Sequence, residues 1–227
     1  MKKVVLIGAS SAVAFDVAKI LNDKGIEVVS FSRTEPNAPF SSYYPIENFD
    51  NFPKIEGAID GLVFFPGSIA LKPFKSLKTV DFIADYEFQV LGAIKSVQHF
   101  LPNLLLSELA SVVFFSTVAV QVGMPFHSLV AASKGAIEGL TRSLAAEFAP
   151  KIRVNAVAPS LTNTPLANRL LNSEEKMTAS ANRHPLKKVG EPQDLANAVS
   201  FLLGEESAWM TGQILKVDGG MSTLKVG

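Results

Sequence analysis

Apolar runs without polar alternation recur along this chain and are separated by amphipathic segments of helical period, a pattern that leaves few folds open. Residues 4–7, 26–31, 61–65, 111–115, 153–157 and 214–217 are short and rich in Val, Ile and Phe. Strands of that kind are covered on both faces. Between them lie helical patterns. Residues 12–24 carry Val13, Val17, Ile20 and Leu21 on one stripe and stop at Gly25, a C-cap signal. Residues 80–101 form a long helix before Pro102, residues 126–148 another, and residues 193–203 a shorter one after Pro192. Strand–helix alternation implies βαβ units. The order predicts an α/β fold: one doubly wound parallel sheet, helices on both faces, and a ligand at the carboxyl ends of the strands.

With 227 residues the chain is expected to be a single domain over 1–227, and 48% apolar residues suffice for a substantial core. Lys+Arg and Asp+Glu are both 21, so the formal net charge is zero. Nucleic acid and acidic membrane surfaces favour a basic excess, so neither is an expected partner. Cysteine is absent, which removes disulfides and thiolate metal sites, and no metal is expected. The basic, apolar start reads as a strand rather than a signal peptide, since no small-residue cleavage site follows a long apolar run. No apolar run approaches the ~20 residues that span a bilayer. A soluble cytoplasmic protein is expected. Residues 34–58 are poor in periodicity. Residues 44–46 read as a short strand, and residues 49–55, broken by Pro53, as a helical turn or two.

Several segments fall where such a sheet presents a ligand. Gly8-Ala-Ser10-Ser11-Ala12-Val13-Ala14 follows the first strand and opens the first helix, the place of a phosphate-binding turn. Ser10 and Ser11 offer hydroxyl and N–H donors there. The second strand ends Phe31-Ser32-Arg33: no acid for a ribose 2′-hydroxyl, but a cation for a 2′-phosphate. Phe64-Phe65-Pro66-Gly67 ends the fourth. Further along come Ser111-Val-Val-Phe-Phe-Ser116-Thr117 and Ser128-Leu-Val130-Ala-Ala-Ser133-Lys134. Then follow Ile152-Arg-Val-Asn-Ala-Val-Ala-Pro159, Thr162-Asn163-Thr164, Gly190-Glu-Pro-Gln-Asp-Leu-Ala and Thr211-Gly-Gln-Ile-Leu-Lys-Val-Asp-Gly-Gly220.

These blocks, in this order, resemble the short-chain dehydrogenase/reductase family over almost the whole chain, most strongly from residue 111 to 222. The resemblance implies a Rossmann-like domain and a nicotinamide cofactor, NADP(H) given Arg33. Gly8, Ser10, Ser11, Val13, Arg33, Gly67, Lys134, Pro159, Thr162 and Thr164 are then the cofactor-binding candidates. It also implies catalysis by a tyrosine that moves the proton, a lysine that lowers the tyrosine pKa and holds the ribose, a serine that polarises the carbonyl, and an asparagine that supports a water relay. Here Lys134 holds the lysine place, Thr117 the serine place and Gln89 the asparagine place.

The departures are as informative. Val130 stands where the tyrosine belongs, four residues before Lys134 and thirteen after Thr117. Ala12 and Ala14 replace two glycines of the turn, and Phe64 and Phe65 replace two asparagines. His127, seven residues before Lys134, is at the spacing that enoyl reductases use for their tyrosine, and a free imidazole has a pKa of ~6.5. The alternative reading of His127 is a surface or subunit-contact histidine. Tyr43, Tyr44 and Tyr86 are poorly placed to substitute. Leu166, Leu170, Leu171 and Met177 suggest an apolar substrate pocket under helices at 168–178. The resemblance further implies packing of helices 80–101 and 126–148 in a homodimer or homotetramer, with residues 219–222 in a second interface.

Three functional readings stand at this point. One is an NADP(H)-dependent oxidoreductase of a carbonyl, alcohol or activated C=C small molecule, with atypical proton transfer. The others are a non-catalytic NADP(H)-binding protein, either a sensor or a silent subunit, and an oligomer that no longer binds nucleotide.

Overall fold

A computed structural model describes residues 2–36 and 40–225. Asn37, Ala38 and Pro39, within the stretch read as irregular, lie outside the described residues. Seven strands pair in the order β3-β2-β1-β4-β5-β6-β7, every pair parallel. They are β1 Lys3–Ile7, β2 Glu27–Ser32, β3 Ser42–Pro45, β4 Gly61–Phe64, β5 Ala110–Phe115, β6 Ile152–Pro159 and β7 Ile214–Val217. The chain moves outward from β1 through β2 to β3, then returns to place β4 on the other side of β1. That reversal opens a crevice at the carboxyl ends of β1 and β4, where open α/β sheets bind ligands.

Alternate residues of each strand feed two cores. Val5 and Ile7 join Leu62, Phe64, Val112 and Phe114 on one face, under Phe100 and Ile137. Val4 and Leu6 join Val63 and Val113 on the other, under Val17, Leu21, Leu195 and Leu202. Burial on both faces is why these strands lack polar alternation.

Helix α1 is Ala12–Asp23, capped by Ser11, and Gly25 turns the chain at φ +70°. The long helix expected at 80–101 is helical throughout but not uniform. It comprises α2 Thr79–Tyr86, a π-helical turn Glu87–Leu91, and α3 Gly92–Leu104. Pro102 does not end α3. The Gln98 carbonyl that it leaves without an N–H is on the exposed face, where water can meet it. Helix α4 begins at Ser128, because Phe126 turns back at φ +68°. Helices α5 Asn168–Leu171, α6 Glu174–Asn182 and α7 Pro192–Leu203 follow, the last with proline in its first turn.

Residues 49–55 form no helical turn. Their aromatic side chains fill the space instead. Phe49 packs on Phe64 and Phe88 with ring centroids 5.4 and 5.8 Å apart, and Phe52 packs on Phe31 and Phe100 at 5.6 and 5.3 Å. Gly92 makes room for this cluster, since a Cβ there would lie 2.5 Å from Phe49. No helix among the described residues is long and apolar enough to cross a membrane.

Candidate active site

A cleft of about 1450 Å³ runs along the carboxyl ends of the strands. At one end β1 passes through Gly8 into α1. Gly8 sits at φ +80° with Pro66 2.9 Å from where a Cβ would be, so only glycine closes this turn. The Ser11 hydroxyl is committed to capping, accepting from Val13 N at 3.2 Å. Ser10 is exposed at the cleft wall and free of that duty. Ala12 and Val13 also line the cleft, whereas Ala14 is fully buried and does not. Only one of the two extra methyl groups therefore faces the ligand space. Helix α1 directs its unpaired N–H groups and positive dipole end here, as anions require.

Arg33 is exposed at the rim just past β2. Ser32 is turned inward and donates to Thr34 O at 2.7 Å. Phe65 packs at a tilt against Phe115 with centroids 5.3 Å apart, and both rings line the cleft.

That opposite end is set by β5, α4 and the π turn. Thr117 follows β5, and its Oγ1 accepts from Ala119 N at 3.3 Å, leaving its own proton for the cleft. Val130 and Lys134 lie one turn apart on the inner face of α4, and both line the cleft. Lys134 is 6% exposed. Burial pulls its pKa from 10.5 to about 8, and the charge of Asp85 opposes that fall. His127 lines the cleft, donating its Nδ1–H to Pro125 O at 2.7 Å. Gln89 is not in the wall. It is fully buried behind Gly67 in the π turn, a distortion found often at functional sites.

Sequence reasoning missed the residue that organises this end. Asp85 on α2 is 7% exposed and accepts hydrogen bonds from Ser68 Oγ at 2.5 Å, Ser133 Oγ at 2.6 Å and Gln89 Nε2 at 2.7 Å. The spacing of Asp85 and Gln89, four residues apart on one helical face, is the only local signal for it.

Beyond β6, Pro159, Thr162 and Thr164 line the cleft. Thr162 pairs in a bridge with Gly190, which fixes the loop. A second missed group sits there. His184, 3% exposed, is 2.9 Å from Ser160 Oγ through Nε2 and donates Nδ1–H to Ser180 O at 2.8 Å. The covering segment is less apolar than its leucines suggested. Leu166 and Leu170 line the cleft, but Leu171 packs with Ala167 and Val189 in a small separate core, joined by Met177. Arg169 and Arg183 face the cleft in their place.

Known proteins share this architecture. Residues 47–222 match the family described as Enoyl-(Acyl carrier protein) reductase. A tropinone reductase homolog of Arabidopsis thaliana is 36% identical over 172 residues, 73% of this chain and 62% of that protein. A 3-oxoacyl-[acyl-carrier-protein] reductase of Thermotoga maritima is 33% identical over 166 residues, 73% of this chain and 67% of that one. The chain spans 46 to 62% of the length of the first five curated relatives it matches. The ligand-free aldohexose dehydrogenase of Thermoplasma acidophilum superposes with a TM-score of 0.89 at 27% identity, covering 100% of this chain and 97% of that one. A gluconate 5-dehydrogenase of Burkholderia cenocepacia, solved with NADP and tartrate, has the same fold at 22% identity and a TM-score of 0.89, covering 99% and 96% of the two chains. The seven-stranded sheet, the turn at Gly8 and the Thr117–Lys134 cleft agree with the match over residues 47–222: this chain belongs to the short-chain dehydrogenase/reductase family of oxidoreductases.

Proposed function

We propose that the protein is an NADP(H)-dependent oxidoreductase of a small carbonyl, alcohol or activated C=C compound, working without the tyrosine that Val130 replaces. The observation that carries this reading is Lys134. A buried amine with a depressed pKa, directed into a cleft beside a free threonine proton, has no packing purpose that an apolar residue would not serve better.

The donor set fits a nicotinamide dinucleotide. The N-terminus of α1 with Ser10 suits the pyrophosphate, and Arg33 suits a 2′-phosphate. Gln89 Oε1 is buried without a hydrogen-bond partner, and a Cβ on Gly67 would lie 3.5 Å from both it and Lys134 Nζ. An orphan acceptor beside an ammonium group is a slot for a hydroxyl such as one on a ribose. Pro159, Thr162 and Thr164 would face the nicotinamide. When bound, that cofactor supplies or accepts the hydride. Thr117 donates a hydrogen bond to the substrate oxygen and so polarises it, and Lys134 adds positive charge where negative charge develops.

The test is titration with NADPH and NADH, followed by nicotinamide fluorescence. NADPH should bind more tightly. Arg33→Ala should weaken NADPH roughly tenfold to a hundredfold, the worth of a charge-assisted hydrogen bond, and leave NADH unchanged. Binding of neither cofactor would end this reading. Val130 also favours a second one, a silent NADP(H)-binding subunit. That protein would bind NADPH but reduce no carbonyl at any pH.

A further inference from the structure

Asp85 has no part in the resemblance that identified the other site residues, yet it is the most densely bonded side chain behind the cleft. All three of its hydrogen-bond donors, Ser68, Ser133 and Gln89, are neutral. A carboxylate buried among neutral partners needs a counter-charge. The charged groups on elements packed against α4 identify it. On α2, Asp81 caps its own helix by accepting from Lys78 N. Glu87 of the π turn is exposed. Arg153 of β6 is spent on the Leu202, Gly204 and Ser207 carbonyls. On α4 itself, Glu138 accepts from Ser116 and pairs with Arg142, Glu147 is exposed at the far end, and His127 lines the cleft. Asp85 is the charge that opposes the desolvation of Lys134.

The same network has a second effect. Because Asp85 receives Gln89 Nε2, the amide must turn Oε1 the other way, toward the space at Gly67 that Lys134 Nζ also borders. The ammonium is thus placed without a direct hydrogen-bond partner among the described residues, one turn beyond a valine that has no proton to give.

We propose that Lys134 itself delivers the proton to the substrate oxygen and that Asp85 is the positioning residue that keeps it an ammonium group in the cleft. The inference rests on the reductase reading above. In reduction the carbonyl carbon gains a hydride and its oxygen gains a proton from Nζ. Lys134 is left a neutral amine and takes a proton back from water in the cleft. Asp85 takes no part in the proton transfer itself.

One pH series on the full chain decides this. Lys134 ionisation is read by NMR of protein carrying ¹³C at the lysine ε-carbon, with Lys134→Arg identifying the resonance. The wild-type midpoint should lie about 8, Asp85→Asn should lower it by about one pH unit or more, and Asp85→Glu should restore it. In parallel, NADPH-driven reduction of 1-phenyl-1,2-propanedione should fall as pH rises through the same midpoint, moving with it in each variant. A Lys134 midpoint indifferent to Asp85→Asn overturns the positioning role. A rate midpoint that does not follow Lys134 ionisation and disappears in His127→Ala assigns the proton to His127 and overturns the role of Lys134. NADPH binding without turnover at any pH, together with turnover in Val130→Tyr, also overturns it. Failure to bind NADPH sinks the reductase reading instead, and the NMR arm still judges Asp85.

Discussion

Val130 and Lys134 share one face of α4, one turn apart. On the reading proposed above, a phenol at the first position would make the second a tuner of the acid, and an isopropyl group there leaves the lysine as the acid. Its environment carries a measurable cost. In the unfolded chain the amine titrates near 10.5, and in the folded chain about 8. Below about pH 8 both states are charged, and folding bears the full penalty of burying an ammonium group. Between 8 and 10.5 the unfolded state binds the extra proton, so stability rises with pH across that window. Urea denaturation should therefore show the wild type gaining on Lys134→Met by up to about 3 kcal/mol between pH 7 and 10.5, at 1.36 kcal/mol per pKa unit. A constant difference between the two proteins would mean that Lys134 is not desolvated. None of this was readable from Lys134 alone, because a lysine in a helical pattern usually marks a solvated face. Its identity came from the neighbouring blocks. Asp85 escaped for the same reason: nothing within α2 distinguishes it from an acid such as Asp81, which only caps the helix. The Ser160–His184 contact spans twenty-four residues and has no local signal at all.

Elements were most legible where one physical demand dominated. Strands buried on both faces must be apolar, so the runs at 4–7, 111–115 and 214–217 located β1, β5 and β7 to within a residue. The region after β3 was least legible, because its order comes from long-range aromatic packing rather than local period. Phe49 sits on a glycine of α3, forty-three residues away. That contact gives a prediction for an element rather than for a catalytic group. Gly92→Ala would ordinarily favour a helix, since alanine exceeds glycine in helix propensity by about 1 kcal/mol. Here the new methyl group would lie 2.5 Å from Phe49 Cδ2 and 3.1 Å from Phe64 Cζ. Overpacking of this kind costs about 1–3 kcal/mol and should outweigh the propensity gain. The variant should unfold at lower urea with an unchanged slope. Because Phe49 also lines the cleft, it should bind NADPH more weakly. Restored stability in Gly92→Ala combined with Phe49→Leu would confirm the contact as the cause. A more stable Gly92→Ala protein would show that the ring moves aside freely.

The two halves of the whole molecule meet at the cleft, one bringing the turn at Gly8 and the other Thr117, Lys134 and the Asp85 network, with α2 as the outer wall of the second half. That wall is apolar on its outside. Val80, Ile83 and Tyr86 are 62, 53 and 43% exposed, while Asp85 on the same helix faces inward. Zero net charge gives one copy no reason to repel another. An apolar stripe outside and a buried carboxylate inside give α2 a use for a second copy: covering the stripe would stiffen the helix that positions Asp85. We therefore expect a homo-oligomer joined through α2. Ile83→Glu should shift the mass in solution, measured by light scattering, toward that of one chain, since a carboxylate cannot be buried there unpaired. It should also lower the midpoint at which Lys134 ionises, because a looser α2 holds Asp85 less firmly. The single tryptophan, Trp209, is fully exposed on the loop before β7 and supplies an independent reading. If assembly also uses that face, its emission shifts to shorter wavelength on association. If α2 alone is used, the emission remains that of a solvated indole while the mass changes. A wild-type protein that is already one chain at micromolar concentration would remove the interface and leave the stripe as ordinary exposed surface.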